Sequence, residues 1–211
     1  MNIVPSPTGL NQFKLVNGLI FGRGYVNQAF VQSEPGQTNI EQSVELDQPL
    51  VLVVADKITR VEQVLPVLEL VKEMKKPLLL VSEDLREDPA STMVYNNKSG
   101  NVQCCAVNFP WSGGTEKDHL KDIAVLTGAT LIDNEHVLRL EEVTKEHFGR
   151  AQFIKVTEFE TSIVDGGGEP QAIEERVGEI RRQIKDESKQ LMKNLHSERL
   201  SRMQSKIAEI Q

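Results

Sequence analysis

The 211-residue chain carries 24 Lys and Arg against 31 Asp and Glu, a formal charge of −7. That acidity argues against a nucleic-acid binder, which needs a basic face to displace counterions from phosphate. A hydrophobic content of 39% is enough for a core, and no apolar run approaches the ~18 residues of a membrane span.

The amino-terminal stretch "MNIVPSPTGLNQF" lacks the basic-then-apolar order of a signal peptide, and residues 1–16 read as a flexible leader. "SEPGQTNIEQ" (33–42) is a polar loop by its Gly and Pro content. "PLVLVVAD" (49–56) is a continuous β-branched and leucine run that predicts a buried strand. "RVEQVLPVLELVKEM" (60–74) has helical periodicity, and Pro66 places the helix start near Gln63, because a proline deeper in a helix clashes one turn back. "PLLLVSED" (77–84) is a second strand. In the helix that follows, Asp88 is the expected N-cap and Pro89 the first helical residue, with Asn97 to Gly100 ending it.

"NVQCCAVNF" (101–109) predicts a strand that points Cys104 and Cys105 to opposite faces as packed free thiols. With no disulfide framework or zinc spacing, this cysteine usage fits a reducing compartment, with the expected location cytoplasmic, or an organelle matrix if the parent protein is organellar. "TEKDHLKDIAVLTG" (115–128) reads as a helix stopped by Gly128, and "ATLID" (129–133) as a short strand. "AQFIKVTEFETSIVDGGG" (151–168) has two alternating stretches around a polar centre, the pattern of a β hairpin. "AIEERVGEIRRQI" and "LMKNLHSERLSRMQSKIAEI" are amphipathic helices, the last expected to be an exposed arm. Together these elements predict an α/β fold: a central sheet, parallel in type and flanked by helices, with an additional β hairpin and C-terminal helices.

Chemical motifs are sparse. His119, His136, His147 and His196 sit in separate polar contexts, and "GGG" (166–168) lacks the Lys-Ser/Thr of a phosphate loop. "WSGG" (111–114) is not a nucleophile elbow, and "GRGY" (22–25) is too short for a nucleotide fingerprint. One constellation supports an enzymatic alternative. Asp56, Glu83, Asp84 and Asp133 fall at the carboxyl ends of predicted strands, where open α/β sheets place their sites. Clustered there, they would hold Mg²⁺ for phosphoryl transfer; otherwise they end strands and cap helices. A further alternative is a scaffold that associates through its C-terminal helices.

The helix at 60–74 carries more apolar surface than a sheet-packing helix needs. Its apolar residues span an arc of roughly 220°, where an arc a little over ~100° suffices. Val67, Leu70, Val71 and Met74 lie on one side and are expected to pack on the sheet. Leu65 and Leu68 lie on the other and are expected to stay uncovered, with Val61 and Val64 between.

Several collinear stretches, "GLIFGRGYVNQAF" (18–30), "PLVLVVADKITRVEQVLPVLELV" (49–71), "KKPLLLVSEDL" (75–85), "LKDIAVLTGATLID" (120–133), "TSIVDGGGE" (161–169) and "AIEERVGEIRRQI" (172–184), resemble the apical domain of group I chaperonins, the GroEL or sixty-kilodalton heat-shock type. The resemblance covers residues 17–185, with a small insertion at 33–42; residues 186–211 match the family's next helix only loosely. It implies an apical-domain fold with an apolar groove between two helices and an extended segment, which captures non-native polypeptide and the mobile loop of a co-chaperonin of the GroES type. By that match the groove residues are Tyr25, Ala29 and Phe30 in the segment, Leu65 and Leu68 in the first helix, and Ala90, Val94 and Tyr95 in the second. Ala29, Ala90 and Tyr95 depart from the aromatic, leucine and aliphatic residues common in the family. "NFPWSGGTEKD" (108–118) lacks the basic residues expected after its glycines.

The family's ATP-binding equatorial domain has no counterpart among these residues. The resemblance therefore implies a substrate-binding part of a longer protein, without enzymatic activity or a cofactor of its own and monomeric by itself. ATP, Mg²⁺ and the homo-oligomeric ring are expectations for the parent.

Overall fold

The computed structural model describes residues 13–31, 42–109, 116–133 and 138–210. Most of the leader, all but Gln42 of the 33–42 loop, Trp111 and His136 lie outside the described residues.

The apolar runs form the strands their β-branched content favours. β3 (Leu50–Ile58) lies parallel to β4 (Leu78–Leu85), with Leu50 opposite Leu78, and β4 lies parallel to β5 (Cys104–Asn108). The two-residue strand β6 (Leu131–Ile132) adds to β3, also in parallel. Val51 to Val54, Leu78 to Val81 and Cys104 to Val107 are all buried, as a sheet covered on both faces requires.

The rest of the sheet is antiparallel. β7 (Gly149–Val156) and β8 (Thr161–Gly166) form the expected hairpin, and β7 pairs with β3 at Leu50–Arg150. β8 pairs with β1 (Phe13–Phe21), which pairs with β9 (Lys206–Ile210). The order is β5-β4-β3-β7-β8-β1-β9, with β2 (Val44–Asp47) joining β7, a nine-stranded mixed sheet among the described residues. The fold is mixed α/β.

Helices α1 (Val61–Met74) and α2 (Glu87–Lys98) are crossovers between parallel strands that advance in one direction along the sheet. Right-handed connection therefore puts both on one face. The next connection, through α3 (Glu116–Thr127), returns to β6 and puts α3 on the other face. There α3 packs with α4 (Pro170–Asp186) and α5 (Gln190–Met203). Gly128 ends α3 at φ +72°, a conformation that favours glycine. At Gly168 a Cβ would overlap the carbonyl of Val125, so the hairpin exit can pass close to α3 only as glycine.

Four boundaries differ from the sequence expectation. α1 begins at Val61, because the Gln63 side-chain oxygen accepts from the backbone N–H groups of Thr59 and Arg60, 3.0 Å each, and so caps the entry. Pro66 is tolerated inside this helix at the cost of one hydrogen bond, to the first-turn carbonyl of Glu62. α2 begins at Glu87, with Arg86 as N-cap; Pro89 is its third residue, within the turn whose N–H groups lack helical partners. Residues 13–16, expected in a flexible leader, belong to β1 and pair with β9. The carboxyl-terminal stretch is no exposed arm: α5 buries His196, Arg199 and Met203, and β9 joins the sheet.

Candidate functional site

The extended segment after β1 is fixed by the backbone it meets. Val26 N–H donates to the carbonyl of Ala106 at 2.9 Å, and Tyr25 forms a bridge with Val107, so the segment covers the edge of β5. Asn27 Oδ1 accepts from the N–H of Ala29 at 2.8 Å and shapes the short 3-10 turn at Gln28–Phe30. Buried Asn97 of α2 then locks three elements together. Its Nδ2 donates to the carbonyl of Phe30 at 3.0 Å, and its Oδ1 accepts from the N–H of Cys104 at 3.1 Å.

The eight residues expected to line the groove divide by exposure. Leu65 on α1 is 42% exposed and Tyr95 on α2 is 71% exposed, while Tyr25 and Ala29 are half-buried. Phe30, Leu68, Ala90 and Val94 are buried. Leu68, expected to be uncovered, is only 4% exposed. It stands four residues after Val64 and three before Val71, both fully buried, and so shares their face of the helix. Leu70 and Met74, expected on the sheet side, are partly buried against the core. Most of the wide apolar arc is therefore used in packing, and Leu65 is what remains at the surface.

The small side chain of Ala90 borders an open cleft of about 510 Å³ between α2 and the extended segment. Arg23, Tyr25, Asn27, Glu87 and Asn108 also line it. Burial, reinforced by the nearby Glu158 carboxylate, raises the pKa of the Tyr25 phenol.

The strand-end carboxylates are not gathered into one site. Asp84 pairs with Arg86 at 3.1 Å, Glu83 with Lys57 at 3.7 Å, and buried Asp133 with Lys117 at 3.2 Å. Among the described residues no three His, Cys, Asp or Glu side chains converge as a metal site would require. His119 is buried 5.7 Å from the Phe109 ring, and burial lowers its pKa to about 4. His147 Nδ1 accepts from the N–H of Thr144 at 2.9 Å. Cys104 and Cys105 are free and fully buried, and burial pushes the Cys104 thiol up to about 12.

Sequence reasoning missed a buried ionic cluster that joins α3, α4 and α5. Arg176 donates through Nε to Asp122 at 2.7 Å and reaches Asp118 at 3.0 Å and Glu179 at 2.7 Å. Arg199 grips Asp122 with two bonds, 2.8 and 3.1 Å, and reaches Asp118 at 3.3 Å. It also donates to Gln183 at 3.2 Å and to His196 Nδ1 at 3.1 Å, a nitrogen that must accept because a guanidinium only donates. Burial alone would raise the Asp118 pKa, but the hydrogen bond from Arg176 and the charges of Arg199 and Arg176 outweigh it and hold the pKa low. The available signal was Asp118 and Asp122, one helical turn apart and so side by side on α3.

Compared with models of known protein families, the chain matches none.

Proposed function

We propose that this chain is a polypeptide-binding module of the kind that forms the apical domain of group I chaperonins. In this reading non-native protein binds on the apolar surface where α1, α2 and the 25–31 segment meet. The supporting observation is that Leu65 and Tyr95 stay exposed on helices otherwise anchored to the core. The hydration penalty of such side chains is relieved on contact, about 1.5–3 kcal/mol for a side chain fully buried. Apolar contact has no directional requirement, so the surface accepts many sequences. Ordering costs leave a binding strength that permits release.

The buried residues Phe30, Leu68, Ala90 and Val94 then act as the floor that holds the contact residues in place, a role different from direct contact. The mobile loop of a co-chaperonin is a second occupant that the resemblance implies for the same surface. ATP hydrolysis and ring assembly belong, in this reading, to a longer parent in a reducing compartment. The magnesium-enzyme alternative finds no support in the separate ion pairs of Glu83, Asp84 and Asp133.

Titration of a chemically unfolded probe, reduced and carboxymethylated α-lactalbumin, tests the reading. The chain binds it, and Leu65→Ser and Tyr95→Ser weaken that binding while leaving the melting temperature unchanged. Absence of binding by the parent chain overturns the proposal.

A further inference from the structure

The β7–β8 hairpin turns through Thr157–Glu160, and its tip presents Phe159 at 74% exposure, the highest of any large apolar side chain among the described residues. This exposure is built in. Thr157 N–H donates to the carbonyl of Glu160 at 2.8 Å. The Thr157 hydroxyl donates to that same carbonyl at 3.1 Å and accepts from the N–H of Glu160 at 3.0 Å. A turn closed by three hydrogen bonds holds its phenyl ring outward at little ordering cost on binding.

The tip also has a defined neighbour. Gly24 packs against the backbone of Thr157 and Glu158 where any Cβ would overlap them, and Tyr25 N–H donates to the carbonyl of Thr157 at 3.2 Å. The Thr161 hydroxyl donates to the carbonyl of Arg23 at 2.6 Å. Residues 23–25 therefore lie between the hairpin tip and the cleft, whose other side is the first turn of α2 with Glu87 and Ala90. From α2 outward the order is Ala90, polar cleft, Tyr25, hairpin tip.

We infer that Phe159 is a further contact residue for non-native polypeptide, reached by an extended chain that crosses the cleft from the α2 surface. The inference rests on the polypeptide-binding reading above. A polypeptide in extended form presents peptide N–H and C=O groups that need polar partners, and the lining of Arg23, Asn27, Glu87 and Asn108 suits them. Its apolar side chains need apolar contacts at either end, which Ala90 on the α2 side of the cleft and Phe159 on the hairpin offer. The occupant is thus a segment with two apolar clusters separated by a stretch long enough to span the cleft.

The test compares the full chain with its Leu65→Ser, Phe159→Ser and Phe159→Leu variants, each titrated with reduced, carboxymethylated α-lactalbumin. Phe159→Ser weakens binding about tenfold, Phe159→Leu retains most of it, and the melting temperature stays constant. Weaker binding with Leu65→Ser but unchanged binding with Phe159→Ser overturns this inference and leaves the polypeptide-binding reading standing. No binding by the parent chain, or no change in either serine variant, overturns both.

Discussion

Replacing Arg199 by Met tests whether the ionic cluster fixes α5 to the domain. The substitution keeps an unbranched apolar stem and removes the guanidinium, with its paired bonds to Asp122 at 2.8 and 3.1 Å and its contacts to Asp118, Gln183 and His196. Asp122 is then left buried with one bond, from Arg176 Nε at 2.7 Å. Breaking a buried ion pair by removing one partner costs about 3–5 kcal/mol, chiefly because the remaining charge is still buried. For a chain of this size that lowers the melting temperature by roughly 6–20 °C. Urea unfolding followed by circular dichroism reads the loss. Hydrogen exchange of α5 reads its local release, which should exceed that of β3 and β4. The Asp122→Leu/Arg199→Met double variant should lose less than the two single losses combined, because neither then strands the other's charge. A single-variant loss below about 1 kcal/mol, or strict additivity, would refute this role.

Lowering pH should destabilise the fold through His119. Burial holds its folded pKa at about 4, against ~6.5 when unfolded, so the unfolded chain takes up the proton first. Stability from the neutral ring is full above ~6.5, falls as pH drops toward ~4, and changes by about 3 kcal/mol in all. His119→Phe should remove most of this slope in urea titrations; an unchanged slope would contradict it. Asp118, whose folded pKa is lowered, contributes stability present above ~3.9 and lost as pH falls through its folded value, a separate, more acidic step. Leu68→Ser should cost roughly 2–5 kcal/mol, since it opens a cavity under α1 and buries a hydroxyl; a melting temperature equal to that of the parent would place Leu68 at the surface instead. Cys104 should resist alkylation at pH 8 in the folded chain and react after unfolding in urea; rapid native labelling would contradict its burial and raised pKa.

The parallel part of the sheet was legible because its strands are buried on both faces and therefore read as unbroken apolar runs, as in "PLVLVVAD" and "PLLLVSED". The hairpin was legible from alternation, and the α3 terminus from Gly128. The role of α5 was not. Arg176 and Arg199 are buried charges, and hydropathy assigns such residues to a solvated face unless their acidic partners on another helix are known. β9 was hidden because its partner β1 lies almost two hundred residues away in sequence.

At the candidate site, periodicity identified a helix with excess apolar surface but could not apportion it. Covering of Leu68 is a tertiary outcome, shared with Val64 and Val71. Leu65, one turn earlier, stays exposed. Phe159 escaped notice because a single aromatic in a polar turn has no periodic context. Its significance depends on the tip lying against residues 23–25.

The most direct measurement is the affinity of the Leu65→Ser/Tyr95→Ser double variant for reduced, carboxymethylated α-lactalbumin, read by fluorescence anisotropy beside its melting temperature. The exposed parts of the two side chains are worth about 1–2 kcal/mol together when covered, so binding should weaken near tenfold with stability unchanged. Equal affinity in the parent and the double variant would place polypeptide binding elsewhere on the molecule.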